Sequence, residues 1–93
     1  MARTLLSQEH IERQMKELKG WKQEGKEIKK TVKLKDFVRS MGFVNSVALL
    51  AEKMDHHPDI DIRWNTVHLT LSTHDAGGLT DFDFNLAKQI DAL

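Results

Sequence analysis

Apolar positions along the chain recur at two spacings, and the switches between them mark out the elements. From about Gln8 to Lys19, residues Ile11, Met15 and Leu18 recur at three- and four-residue steps, which places them on one face of a helix. Ser7 is its expected N-cap, and Gly20 ends it with a residue suited to left-handed dihedrals. Trp21 to Glu24 and Glu27 to Leu34 then read as the strands of a hairpin turning at Gly25. In the second strand Ile28, Lys30, Val32 and Leu34 share one parity, and Glu27, Lys29, Thr31 and Lys33 share the other. One face therefore meets core and the other meets water.

Asp36 is the expected N-cap of the strongest helix, which runs to about Asp55. Phe37, Met41, Val44, Ala48 and Ala51 form one apolar stripe along it. Phe43, Val47, Leu50 and Met54 form a second, displaced by roughly 100°. The pair is wider than the stripe a surface helix needs to cover one sheet. Either the helix is deeply buried or the second stripe packs on another subunit. So small a chain has little material to bury both, which favours the subunit contact. Pro58 cannot continue the helix and biases His57 toward extended dihedrals. Ile60, Ile62 and Trp64 alternate with Asp59, Asp61 and Arg63 as a strand, Asn65-Thr66 makes a turn, and Val67, Leu69 and Leu71 alternate with His68, Thr70 and Ser72. Thr80 caps a last helix in which Phe82, Leu86, Ile90 and Leu93 recur at helical spacing. The order α-β-β-α-β-β-α, with two hairpins separated by helices, predicts an antiparallel sheet with helices packed on one face: a single small α+β domain over 1–93.

Composition narrows the possible functions. At 93 residues, with 40% hydrophobic and 30% charged, the chain has the makeup of one ordinary globular domain. Fourteen Lys+Arg balance fourteen Asp+Glu, so a main role in gripping nucleic-acid phosphates or anionic membranes is not expected. The absence of cysteine excludes disulfides, thiolate zinc sites and cysteine nucleophiles. No apolar run approaches a membrane span, and the first ten residues lack a signal-peptide core, so a cytoplasmic location is expected. Trp21 and Trp64 read as sheet-core aromatics, and Lys26, Lys29, Lys30, Lys33 and Lys35 as a solvated hairpin face.

The candidate chemistry lies in histidines at element ends: His56 and His57 at a helix exit, His74 at a strand exit. Glu52 stands four residues before His56, which makes a carboxylate–imidazole contact available on a regular helix. Such imidazoles can act as acid or base near neutral pH. A histidine near a helix C-terminus also commonly serves only to meet the last carbonyls, so the residues alone leave both readings open. A metal site is not expected. Adjacent side chains at His56 and His57 would diverge in a regular element, and no HExxH-type spacing is present. Asp83, three residues after Thr80, matches the acidic arm of a capping box.

Glu52, His56-His57-Pro58, Trp64, Ser72-Thr73-His74 and Asp83 occur in an order and spacing that closely resemble the pterin-4a-carbinolamine dehydratases. Gly20-Trp21, Lys35-Asp36-Phe37, Gly42-Phe43 and Asn85-Leu86-Ala87 extend the resemblance over nearly the whole chain. It implies a four-stranded antiparallel sheet and dehydration of 4a-hydroxytetrahydropterin (4a-hydroxytetrahydrobiopterin) to quinonoid dihydropterin, recycling the cofactor of aromatic amino-acid hydroxylases, with no cofactor or metal. It also implies His56, His57 and His74 as the active-site histidines and Asp55, Ser72, Thr73 and Asp75 as lining the pterin site. Glu52, Trp21, Pro58 and Asp83 would support that site. A homodimer or homotetramer through the central helix is implied too. So is an alternative role, since some members serve as dimerisation cofactors of a homeodomain transcription factor. Asp75 departs from the Glu of many members, and Ile60-Asp61-Ile62 differs from members that carry an aromatic there.

Overall fold

Each helix begins where a side chain takes up backbone N–H groups that the first turn leaves unpaired. In the computed structural model, which describes residues 3–93, Ser7 accepts from the His10 N–H to open α1 (Gln8–Met15). Asp36 accepts from the Arg39 N–H to open α2 (Phe37–Met54). Thr80 and Asp83 form a reciprocal capping box that opens α3 (Asp81–Asp91). The strands are β1 (Trp21–Glu24), β2 (Glu27–Lys33), β3 (Asp59–Arg63) and β4 (Thr66–Leu71), and a 3-10 turn at His74–Ala76 precedes α3. The α-β-β-α-β-β-α order is therefore the one that the apolar spacing predicts. α1 ends earlier than the expected Lys19, because its last turn tightens into three-residue bonds from Glu17 to Gln14 and from Leu18 to Met15. Gly20, at φ +77°, then turns the chain into β1.

The strands pair antiparallel throughout in the order β1-β2-β4-β3, so the two hairpins join through β2 and β4. Register sets Ile28 against Leu71, Lys30 against Leu69 and Val32 against Val67. Ile28, Val67, Leu69 and Leu71 are fully buried beneath the helices. The other face, carrying Lys22, Thr31, Asp59, Asp61 and His68, is exposed.

Three expectations are corrected. The second stripe of the central helix is core rather than a subunit contact: Val47 is 0% exposed, and Phe43, Leu50 and Met54 pack against the buried cluster. α3 docks beside α2 and brings Phe84, Leu86, Ala87 and Ile90 to that side, supplying the burial that two hairpins alone lack. The outward side carries Phe37, Val38, Ala48 and Leu49 instead. Trp64 is not a core aromatic. It adopts φ +52° in a two-residue Trp64-Asn65 turn and is 68% exposed, because Arg63 pairs with Thr66 and leaves Trp64 at the hairpin tip. Lys30 leaves the solvated lysine face to pair with Asp91 at 2.6 Å.

Asp91 also accepts from the Trp21 indole N–H and the Lys19 backbone N–H, both at 2.8 Å. Burial pushes its carboxyl up. The hydrogen bonds from Lys30, Trp21 and Lys19, with the Lys30 charge, outweigh this and hold it below the usual carboxylate value.

Candidate active site

The site is built where α2 stops. Asp55 takes a left-handed conformation (φ 52°, ψ 46°), and the His56 N–H returns to the Ala51 carbonyl. This left-handed residue breaks the helical spacing, so the two histidines part. His56 is buried and His57 is exposed. Glu52 consequently meets His57, at 2.8 Å, and not His56 as four-residue spacing had implied.

His56 instead points its Nε2 at Asp83 Oδ1, 2.6 Å away on α3. Asp83 is fully buried, and its second oxygen accepts from the Thr73 hydroxyl at 2.8 Å and the Thr80 backbone N–H at 2.9 Å. The Thr73 and Thr80 hydroxyls also lie 2.8 Å apart. Two donors without an ionisable proton thus fill one side of Asp83, which leaves the other oxygen to accept from His56. The proton of a neutral His56 is therefore placed on Nε2, with Nδ1 carrying the lone pair. The capping box that starts α3 and the anchor that orients His56 are one carboxylate.

Past β4, Thr73 bridges to Gly78 and the 3-10 turn exposes His74 and Asp75. The Ser72 hydroxyl donates to the Lys26 carbonyl at 2.7 Å. These elements enclose an open cleft of about 410 Å³. Asp55, His56 and His57 line it from the end of α2, and Ser72, Thr73, His74 and Asp75 from the segment after β4. Every residue that the sequence nominates as histidine acid/base or pterin-lining group meets there. Of the expected supporting residues, Asp83 lies beneath His56, and Glu52 touches His57. Pro58 lines a neighbouring apolar groove with His57. Trp21 is not brought to the site, since its side chain is buried in the core and tied to Asp91.

Arg3 also lines the cleft, and no sequence pattern marks it. It lies before the first periodic element, and only folding carries it to Asp55, distant in sequence. Among the described residues, no group of three or more His, Cys, Asp or Glu side chains is arranged to hold a metal ion. The cleft gathers one buried imidazole anchored at Nε2, two exposed imidazoles and two carboxylates around room for a polar ring.

A family model described as Pterin 4 alpha carbinolamine dehydratase matches residues 4–93. A relative from Roseiflexus sp. (strain RS-1), provisionally named a pterin-4-alpha-carbinolamine dehydratase, is 54% identical over 90 residues, covering 97% of each chain. One from Sulfolobus acidocaldarius, with the same provisional name, is 44% identical over 88 residues, covering 95% of this chain and 97% of its own. The crystal structure of a Brucella melitensis transcriptional coactivator/pterin dehydratase superposes with a TM-score of 0.90 at 35% identity, covering 94% of this chain and 95% of that one. A pterin dehydratase-like RuBisCO assembly factor of the alpha-carboxysome shares the fold, with a TM-score of 0.67 at 23% identity over 82% of this chain and 90% of that one.

Proposed function

The chain belongs to the pterin-4a-carbinolamine dehydratase family, a family of hydro-lyases, and from that premise we propose that it dehydrates a 4a-hydroxytetrahydropterin to the quinonoid dihydropterin and water. The C4a–O bond breaks, the departing hydroxyl takes a proton to leave as water, and a second proton leaves the pterin ring to a base. The observation that carries this reading is the convergence of His56, His57 and His74 on one cleft, with His56 held by buried Asp83. His56 is suited to accept the ring proton, because its Nδ1 lone pair is fixed by the bond at Nε2. The exposed His57 and His74 are suited to deliver the other proton. Asp55, Ser72, Thr73 and Asp75 bind the ring, and no metal or organic cofactor enters the scheme.

A stopped assay with synthetic 4a-hydroxytetrahydropterin tests this. Wild type should accelerate dehydration well beyond the spontaneous rate, while His56→Ala and His57→Ala lose most of the acceleration. A wild-type rate equal to the uncatalysed one would overturn it. The same proposal places the activity in the cytoplasm, in pterin recycling for aromatic amino-acid hydroxylases, and in one domain over 1–93. It also makes the protein a homodimer or homotetramer through the outward side of α2, where Phe37, Val38 and Leu49 are exposed apolar groups. That surface equally supports a second reading, a non-enzymatic binding module of the coactivator type.

A further inference from the structure

We infer, resting on the pterin reading above, that Arg3 contacts the substrate: its guanidinium donates to the ring carbonyl oxygen of the pterin and sets which heterocycles the cleft accepts. The guanidinium is held from two directions. Nη2 donates to the Asp55 carbonyl at 2.6 Å, and the group lies over the Phe82 ring, 4.0 Å from its centroid. Phe82 in turn abuts the His56 ring, at 5.7 Å between centroids. A cation–π contact and a hydrogen bond together keep a long side chain at the cleft rather than sweeping through solvent.

A guanidinium carries five N–H donors. The bond to Asp55 uses one, and among the described residues the others bond nothing. Asp55 and Asp75 share the cleft with Arg3, whose hydrogen bond among the described residues goes to the Asp55 main-chain carbonyl and to neither carboxylate. The pyrimidinone edge of a pterin presents N–H donors beside a carbonyl acceptor. The two carboxylates suit the N–H groups, and the oxygen needs a donor. The hydroxyl protons of Ser72 and Thr73 are already committed to the Lys26 carbonyl and to Asp83. Arg3 is the permanently charged donor at the cleft, and its planar fork matches a carbonyl oxygen.

Affinities for 7,8-dihydropterin and for 2,4-diamino-7,8-dihydropteridine, in which an amino group replaces the ring oxygen, test the assignment by calorimetry on the full chain. Wild type should prefer the carbonyl ligand. Arg3→Ala should weaken dihydropterin by about tenfold or more, the loss expected for one hydrogen bond to a charged group. It should leave the diamino ligand within about twofold, so that the preference collapses, and Arg3→Lys should retain part of it. Equal weakening of both ligands in Arg3→Ala, or no change in either, would overturn the inference, since Arg3 would then act only on Asp55 and Phe82. Failure of wild type to bind either ligand would overturn the pterin reading itself and the inference with it. Unchanged circular dichroism in both variants checks that the fold is intact.

Discussion

Replacing Asp83 by Asn separates the two functions that this carboxylate combines. Asp83 is fully buried and accepts from His56, the Thr73 hydroxyl and the Thr80 N–H. An asparagine carbonyl at the position of Oδ2 keeps the last two bonds and with them the start of α3. Its NH2 group then faces His56 Nε2 and must donate to it. His56 is forced into the opposite tautomer, with the proton on Nδ1, so Nδ1 changes from acceptor to donor. The neutral amide removes the charge assistance from all three bonds, which together costs about 1.5–3 kcal/mol. At roughly 4–8 °C per kcal/mol for a domain of this size, the melting temperature should fall by something like 6–24 °C, leaving a folded protein at 25 °C. The catalytic loss should be larger in proportion, about 10²–10⁴-fold in turnover, the usual contribution of a positioned proton acceptor. Thermal melts and the stopped assay measure the two effects, and long-range ¹H–¹⁵N NMR reports the tautomer directly. Thr73→Val is the control for the melt and the tautomer, because it removes a donor to Asp83 without touching the His56 bond. An Asp83→Asn protein that keeps turnover within threefold of wild type, or keeps the proton of His56 on Nε2, would refute the reasoning.

Val47 and Leu49 should respond oppositely to charge. Val47→Asp buries an unpaired carboxylate at a fully enclosed site and should abolish cooperative folding by circular dichroism. Leu49→Asp, at a position 75% exposed, should stay folded and lower the mass by light scattering; an unchanged mass removes this face from the assembly. Acidification should unmask Asp91. Its folded value lies below the unfolded one, so the stabilisation is full above about pH 4 and is lost as pH falls through the folded value. Asp91→Asn should flatten that acid limb in denaturation midpoints measured from pH 5 to 2, and an unaltered limb would show that other carboxylates dominate.

The stripe-bearing helices, the two hairpins and all three N-caps were legible because each depends on residues within one or two turns of one another. Ser7 reaches His10, Asp36 reaches Arg39 and Thr80 reaches Asp83 within a single turn. The cleft-lining residues were legible through motif resemblance, because His56-His57-Pro58 and Ser72-Thr73-His74 are contiguous stretches. Their partners were not. Helical spacing pairs Glu52 with His56, but the left-handed Asp55 ends that spacing one residue too early. Trp64 follows the strand alternation in sequence, yet the two-residue turn takes it out of the sheet.

Local sequence thus determined which segments form helices and strands, since capping and apolar periodicity act over a few residues. The tertiary structure alone decided how far each stripe of α2 faces inward: Val47 of one and Ala51 of the other are buried, while Phe37 and Ala48 stay exposed. It alone also set Asp83 under His56, 27 residues apart, and brought Arg3 to Asp55, 52 residues apart. These contacts join groups on separate elements, and their geometry exists only once the helices have docked on the sheet.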